Sequence, residues 1–476
     1  MVERATRCYA PTVRAAVLAL SALGLGGAKP VLADVLPPGC LSDPDGLQMF
    51  GAAAYNSVRD EYVLLYPAGL EARVARLDPC GQMLGEHSVL STTNPLNLVA
   101  LAYNEEHNEY LAALRHDQPS VVDLLYLDAE ARPIGAPFEL AQPSSDIRLV
   151  ANSAHDHYLA VWQHPGDWQN PATNPQTLRY RLVSGDSSSP TLLGAETMFA
   201  SAAISPAVAF NSRADKYLVV FTGDINLLVP NNDTIYGRFI RGDGTLVDGT
   251  LPLAMWFESQ RTPEVAYSDV SNQWLVAFSD WGQARMGHSG DLSAVLVEEN
   301  GTVARTLELA RTAMDRWETL GPIGFLPGRD RFIVTYFEAV TAYGREVDPA
   351  SGTLFDPFVF SDDNANPRAL AIRPVSSGPQ YLLDWSRTNN GVCASIATLE
   401  GTCDAPVAPR ETSDDSQRDA STELQVPQDG NAEAGRSDAG VQSGCGCRVA
   451  PRPQVGIHWL GAAALLLVAR RMGWLT

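Results

Sequence analysis

Residues 206–221 read P-A-V-A-F-N-S-R-A-D-K-Y-L-V-V-F and contain the pattern that decides the fold. A short apolar stretch ends in an aromatic residue, a polar turn follows, and a second, almost wholly apolar stretch runs from Tyr217 to Phe221. Residues i and i+4 of a strand share a face, so we expect these two rings to point the same way and to pack. A strand that is apolar throughout is typical of one buried on both faces.

The same pattern recurs seven times between about Leu47 and Asp404. The second stretch begins at Tyr62, Tyr110, Tyr158, Tyr217, Trp274, Phe332 and Tyr381, at intervals of 48 to 59 residues. Four residues later come Tyr66, Leu114, Trp162, Phe221, Phe278, Tyr336 and Trp385. A hairpin follows, as around Asn300-Gly301 in residues 295–303 or around Glu400-Gly401 in residues 394–403, because Asn-Gly and similar pairs favour tight turns.

Four-stranded repeats at this interval are typical of propeller blades. The sequence therefore predicts an all-β fold, a seven-bladed β-propeller of four-stranded antiparallel blades, in residues 34–404. Two β-sandwiches are the alternative. No W-D terminus, Gly-Gly kelch pair or sialidase-type Asp box occurs, so the pattern indicates no named propeller family.

The N-terminus is typical of an exported protein. Arginines precede an apolar run at residues 15–25, and Val31-Leu32-Ala33 fits a cleavage site, so residues 1–33 read as a secretory signal peptide. A lipid-attachment motif at Cys40 is an alternative, although Leu-Pro-Pro-Gly-Cys matches it poorly. Residues 405–444 are polar and have almost no large apolar side chains, which predicts a disordered stalk.

The last segment, residues 445–476, contains Cys445 and Cys447, an apolar run at residues 455–469, and then Arg470 and Arg471. The run predicts a short hydrophobic helix, but a full membrane span needs about 20 residues. This order of cysteines, apolar helix and arginine pair resembles the myxobacterial C-terminal sorting signal, Myxo-CTERM. The resemblance implies export, removal of the helix and retention at the cell surface through one of the two cysteines. The sequence departs from that pattern in the five residues that follow Arg471.

Net charge excludes some partners. The chain has 34 basic and 55 acidic side chains, a formal charge of −21. The first 33 residues carry four bases and one acid, and the last 32 carry four arginines and no acid, so the body between them carries −28. Such a body does not suit nucleic acid or anionic lipid, both of which need basic surfaces. We therefore expect an exported monomer, at the cell surface or outer membrane, that contacts the membrane only through its C-terminal segment.

Seven cysteines are present, and four of them lie in the body: Cys40, Cys80, Cys393 and Cys403. An even number in an exported chain predicts two disulfides, and the sequence leaves all three pairings open. A metal site is less favoured, because no C-x-x-C pair accompanies them. We expect no cofactor; a structural calcium ion at residues 231–233 or 361–364 is the alternative.

The candidate site follows from loop lengths. In a propeller, the links between the second and third strands and the links between blades lie on the top face. The links between the second and third strands are longest in the third, fourth and fifth repeats, at residues 164–176, 222–234 and 279–291. Long loops commonly serve function. These three links, together with the links that lead into the fifth and sixth repeats, contain the predicted ligand-binding residues. They are Trp168, Asp224, Trp256, Glu258, Asp280, Trp281, His288 and Trp317.

Tryptophan beside charged groups suits sugar recognition, because the rings stack on apolar sugar faces and the charged groups bond to hydroxyls. We therefore expect a binding module for polysaccharide, matrix or a surface protein, and we favour this over an enzyme. One alternative is a carbohydrate-active enzyme, a glycosidase or lyase, with Asp224 and Asp280 as the catalytic carboxylates. Another is a structural surface component, whose tryptophans fill gaps between blades.

Overall fold

The computed structural model describes residues 39–41, 51–116, 120–166, 174–223, 233–255, 260–280, 291–311, 318–339, 341–361, 365–374, 380–387 and 391–398. All of them belong to one compact unit, Met1–Pro406. The predicted signal peptide, stalk, sorting segment and C-terminal helix lie outside the described residues. Within the ranges given above, no helix is both long and apolar enough to cross a membrane.

The described chain is built from β-strands, with a 3-10 turn at Pro327–Arg329. The first strand is β1 (Gly39–Leu41). Sheet one contains β2 (Ala52–Asn56), β3 (Glu61–Ala68), β4 (Glu71–Leu77) and β5 (Met83–Ser91). Sheet two contains β6 (Leu96–Asn104), β7 (Glu109–His116), β8 (Val121–Leu127) and β9 (Pro133–Ala141). Sheet three contains β10 (Ser145–Asn152), β11 (His157–His164), β12 (Thr177–Ser184) and β13 (Leu192–Ser201).

Sheet four contains β14 (Ile204–Asn211), β15 (Lys216–Gly223), β16 (Thr234–Arg241) and β17 (Leu251–Ala254). Sheet five contains β18 (Gln260–Ser268), β19 (Gln273–Asp280), β20 (Asp291–Glu298) and β21 (Val303–Ala310). Sheet six contains β22 (Glu318–Leu326), β23 (Arg331–Glu338), β24 (Thr341–Val347) and β25 (Phe358–Ser361). The composite sheet joins β26 (Ala365–Arg373), β27 (Gln380–Arg387) and β28 (Gly391–Thr398) to β1.

The sheets form a ring. The inner strand of each, the one that comes first in its repeat, contacts the inner strands of the sheets on both sides, and β2 contacts β26. Every ladder within a sheet is antiparallel. The predicted all-β propeller of four-stranded antiparallel blades is confirmed, and two separate β-sandwiches are excluded because the chain closes on itself.

The composite sheet differs from the prediction. The repeat pattern placed a hairpin at residues 394–403 as the last two strands of the final repeat. Instead, β28 covers Gly391–Thr398 and pairs along its outer side with β1 from the other end of the chain. This pairing satisfies backbone groups of β28 that would otherwise form an open sheet edge.

The second strands are the core of each sheet. All eight residues of β3 are buried. The predicted contact between aromatics four residues apart is wrong, since four residues of strand span about 13 Å. In sheet four the two rings instead pack across the sheet: the Tyr217 ring lies 4.9 Å from that of Phe210 on β14, and the Phe221 ring lies 6.0 Å from that of Tyr236 on β16.

The turns between first and second strands form a belt of contacts along the edge where the inner strands end, which we call the lower edge. In six repeats the residue before the second strand is Asp or Asn in the left-handed conformation, with φ between 47° and 57°: Asp60, Asn108, Asp156, Asp215, Asn272 and Asp330. Their side chains accept hydrogen bonds from the preceding sheet. Asn56 donates to Asn108 at 2.8 Å, and Ser268 donates to Asp330 at 3.0 Å. Neighbouring sheets are thus joined by polar as well as apolar contacts.

The belt also joins the last repeat to the first. Arg373 of β26 donates through Nε and Nη2 to Asp60 at 2.6 and 2.5 Å. Tyr55 donates to the same carboxylate at 2.5 Å. Burial and the neighbouring Asp60 raise the pKa of Tyr55 to about 12. The junction between sheet one and the composite sheet therefore has the same kind of contact as the junctions between consecutive repeats.

Candidate upper-edge binding site

The long links of the third to fifth repeats leave from one side of the ring. In sheet three, His164 pairs with Thr177, and the inner strand begins beside Gln163. The corresponding pairs are Gly223 with Thr234 in sheet four and Asp280 with Asp291 in sheet five. We call this side, where inner strands begin, the upper edge. Three neighbouring sheets thus present their long links on the same face.

Most of the predicted site residues lie outside the described residues: Trp168, Asp224, Trp256, Glu258, Trp281, His288 and Trp317. Asp280 is described and is half-buried at the end of β19, where it pairs in register with Gln260 and Asp291. The convergence of the eight residues remains a prediction, as does the catalytic pairing of Asp224 with Asp280.

An ion pair between the exposed Arg261 and the buried Asp233 joins sheets four and five at the upper edge. Arg261 Nε donates to Asp233 Oδ2 at 2.5 Å, and Gln260 donates its backbone N–H to the Asp233 carbonyl at 3.0 Å. Asp233 is only 5% exposed. This residue belonged to a predicted calcium motif, but its carboxylate bonds to an arginine. Among the residues that the structure describes, no group of three or more His, Cys, Asp or Glu is placed to hold a metal ion.

Gln260 is the unusual residue of this junction. Its side chain is fully buried, and neither amide atom has a hydrogen-bond partner among the described residues. Thr222, at the corresponding end of sheet four, is also fully buried, with its hydroxyl unbonded within the described chain. A buried polar group left without a partner costs about 1–3 kcal/mol. The upper edge of sheets four and five therefore retains polar groups at a cost in stability.

The inner strands surround a central channel. Its cavity of about 380 Å³ is lined mainly by small and apolar residues, among them Ala52, Leu98 and Leu320. Two charged residues also line it: Arg148 of β10 and Glu264 of β18, whose Nη2 and Oε1 atoms are 3.3 Å apart. This pair links sheets three and five past the inner strand of sheet four. Arg148 Nη1 also bonds to Asp146 at 2.9 Å.

Burial and charge shift the pKa of both partners. Burial opposes the charge of Arg148, but Asp146 and Glu264 outweigh it and raise the pKa of the guanidinium. Burial also raises the pKa of Glu264 above its ordinary value, and the carboxylate of Asp146 adds to the increase while Arg148 opposes it. The cluster of two carboxylates and one guanidinium thus carries a net negative charge while Glu264 is ionised.

Bulges at the start of the inner strands position the side chains of Arg148 and Glu264. The ladders shift register around Asp146, Ser205 and Thr262, which have φ values of 42°, 52° and 47°. Such a conformation is uncommon for residues other than glycine, and a bulge redirects the side chains around it. The bulges also join elements: Ser205 donates its backbone N–H to Gln163 Oε1 of sheet three at 3.2 Å. Three adjacent blades therefore have a bulge with a positive-φ residue at the upper mouth of the channel.

Sequence reasoning missed the channel residues and the pair of Arg261 with Asp233. Arg148 and Glu264 are 116 positions apart, and no local pattern relates them. One signal was present: Ser205-Pro206, Thr262-Pro263 and Gly321-Pro322 occur at the same point of three successive repeats. A residue before proline is restricted, and a recurrent restriction inside a strand indicates a bulge.

The chain matches no protein-family model, and no curated protein is similar to it in sequence. Several solved structures resemble it in fold. The Dos1 propeller matches with a TM-score of 0.44 and 11% identity, over 73% of this chain and 78% of that one. The propeller domain of the Trilobed protease from Pyrococcus furiosus matches at 0.43 and 9%, over 76% and 100%. A chain of a mitotic checkpoint complex matches at 0.49 and 11%, over 83% and 98%. The propeller assignment rests on the ring of sheets, since these scores are low.

Proposed function

We propose that this protein is an exported β-propeller, retained at the cell surface, that binds polysaccharide or a surface protein through its upper edge. In this proposal the composite sheet serves as the seventh blade. The observation that supports binding through the upper edge is the common position of the long links. Sheets three, four and five are neighbours, and the long link of each departs from the same edge.

The composition of the upper edge supports binding. The links contain Trp168, Trp256 and Trp281, and they adjoin the buried polar groups of Gln260 and Asp233. Aromatic rings with a few fixed polar groups are the usual means of recognising a sugar or a protein surface. The channel mouth beside them contributes the charged pair of Arg148 and Glu264.

Surface retention is proposed from the two ends of the chain. A signal peptide at residues 1–33 directs export, and the segment at 445–476 holds the protein at the surface through Cys445 or Cys447. The body carries −28 and does not adhere to anionic lipid by charge, so deleting residues 445–476 releases the protein into the medium. A protein still at the surface after this deletion contradicts the sorting role.

Binding is tested by screening the purified exported protein against polysaccharides and surface-protein extracts. Each stacked ring contributes about 0.5–1.5 kcal/mol, so the combined Trp168→Ala, Trp256→Ala and Trp281→Ala variant loses at least about tenfold in affinity. The matched control is Met83→Ala with Leu84→Ala, which removes exposed apolar surface from sheet one. Equal binding by the tryptophan variant and the wild type contradicts the site. Release of sugar fragments, abolished by Asp224→Asn or Asp280→Asn, favours an enzyme instead.

A further inference from the structure

Two cysteines from opposite ends of the chain meet in the composite sheet. In the antiparallel ladder of β1 with β28, Cys40 stands directly opposite Cys393, flanked by the pairs Gly39 with Ala394 and Leu41 with Val392. The two residues are 353 positions apart in the sequence, and the register of the ladder alone makes them neighbours.

The backbone spacing of such a pair suits a disulfide. Directly opposed residues of an antiparallel ladder have Cα atoms about 4.5–5.5 Å apart. Disulfides occur at Cα separations of about 4.4–6.8 Å. The backbone spacing of β1 and β28 at this pair is therefore one that disulfides span.

Cys80, the other cysteine within the described ranges, lies outside this ladder. Cys80 lies in the turn between β4 and β5 of sheet one, where its backbone N–H donates to Asp78 Oδ1 at 2.9 Å. A bond from Cys80 to Cys40 or to Cys393 would leave the other member of the opposed pair with a different partner. Cys403 lies outside the described residues.

We propose that Cys40 and Cys393 form a disulfide that covalently closes the ring, which leaves Cys80 and Cys403 as the second pair. Two thiols lose two protons and two electrons as one S–S bond forms. A disulfide-containing oxidant of the export compartment accepts these protons and electrons and is reduced to two thiols.

The bond has a structural purpose. The strand β1 pairs over only three residues, so few hydrogen bonds hold it on the outer edge of β28. A covalent link between the strands prevents β1 from leaving, and β28 then keeps a covered edge. The ends of the propeller remain joined even when its hydrogen bonds open transiently.

The test is disulfide mapping of the intact exported protein by mass spectrometry of unreduced proteolytic peptides. The expected result is a peptide pair that contains Cys40 and Cys393 and separates on reduction. A pair joining Cys40 to Cys80 or Cys403, two free thiols, or a lipid on Cys40 would overturn the proposal.

Unfolding gives a second readout. Cys40→Ser, Cys393→Ser and the double variant are expected to lower the melting temperature by the same amount, because each removes the same bond. The control combines each of these substitutions with Cys80→Ser in one chain. Loss of the second disulfide is expected to lower the melting temperature by a further, separate amount. Unequal effects of Cys40→Ser and Cys393→Ser, with additive losses in the double variant, contradict a shared bond.

Discussion

The charged residues of the channel illustrate what tertiary structure adds at the scale of single residues. Arg148 and Glu264 are half-buried, with side chains 34% and 28% exposed, and both line the channel cavity. In such surroundings a carboxyl group retains its proton to a higher pH than in water. The position of Glu264 therefore makes the stability of the propeller sensitive to pH.

The direction of that sensitivity follows from the raised pKa of Glu264. The native state binds the proton at a higher pH than the unfolded chain, so this residue favours folding below its raised pKa. The contribution is lost as pH rises through that value. Compared with Glu264→Gln, the wild type gains free energy of unfolding as pH is lowered from about 7 to about 4. Chemical denaturation at several pH values measures the difference.

The control for that measurement is Glu139→Gln, which neutralises an exposed carboxylate on sheet two. Because Glu139→Gln retains Glu264, its free energy of unfolding is expected to follow the same pH course as that of the wild type. Parallel curves for the wild type and Glu264→Gln would show that the channel does not perturb this carboxyl group.

The burial of residues that recur in each repeat could be predicted from the sequence. Contacts between residues on different sheets of the ring could not. Tyr62, Tyr158 and Trp274 were identified as core residues, and all are fully buried. The contact of Arg148 with Glu264 could not be predicted, because it depends on the curvature of the ring and on a bulge in each strand. Gln260 was also missed, since an isolated glutamine gives no sign that it will be buried.

At the scale of elements, the hairpins between third and fourth strands depend on residues with positive φ. Gly81, Gly244, Gly301 and Gly352 occupy this position in four repeats, with φ between 68° and 92°. Each donates its backbone N–H to a residue three or four positions earlier, as Gly301 does to Glu298 at 2.8 Å. These turns set the register of the outer strands.

Gly301→Ala should therefore destabilise the protein. A Cβ at this position would lie 2.8 Å from Leu251 Cδ1, and φ of +92° is unfavourable for alanine. The expected loss is about 1–2 kcal/mol in the free energy of unfolding, measured by denaturation. The matched control is Gly85→Ala in β5, where a Cβ would meet nothing within 4 Å. A gain of about 0.4–1 kcal/mol is expected there. Equal effects of the two substitutions would contradict the role of the turn.

The elements themselves were largely predictable. Asn300-Gly301 lies in the turn between β20 and β21, as predicted. The predicted aromatic lies at the start of each second strand, as Trp274 does in β19. The exception is β1, because three residues are too few for any periodicity, and a strand that pairs with the far end of the chain leaves no local pattern. Its partner on β28 could be identified only from the register of the composite sheet.

At the scale of the whole molecule, ring closure fixes the face on which the proposed binding site lies. Each sheet is fixed by its two neighbours, and the belt at the lower edge joins sheet one to the composite sheet through Arg373 and Asp60. The lower turns are short, and their side chains make these contacts between sheets. The upper edge of sheets three to five carries the long links, so loop length varies where it does not disturb closure.

The most direct test of this account is hydrogen–deuterium exchange of the purified protein, with and without the polysaccharide or surface protein that the screen identifies. Binding is expected to slow exchange at the upper ends of sheets three to five, including Gln260, Asp280 and Asp291. Exchange in the lower turns, such as residues 56–61 and 104–109, should stay unchanged. Protection confined to those lower turns, or to sheets one and six, would contradict an upper-edge binding site.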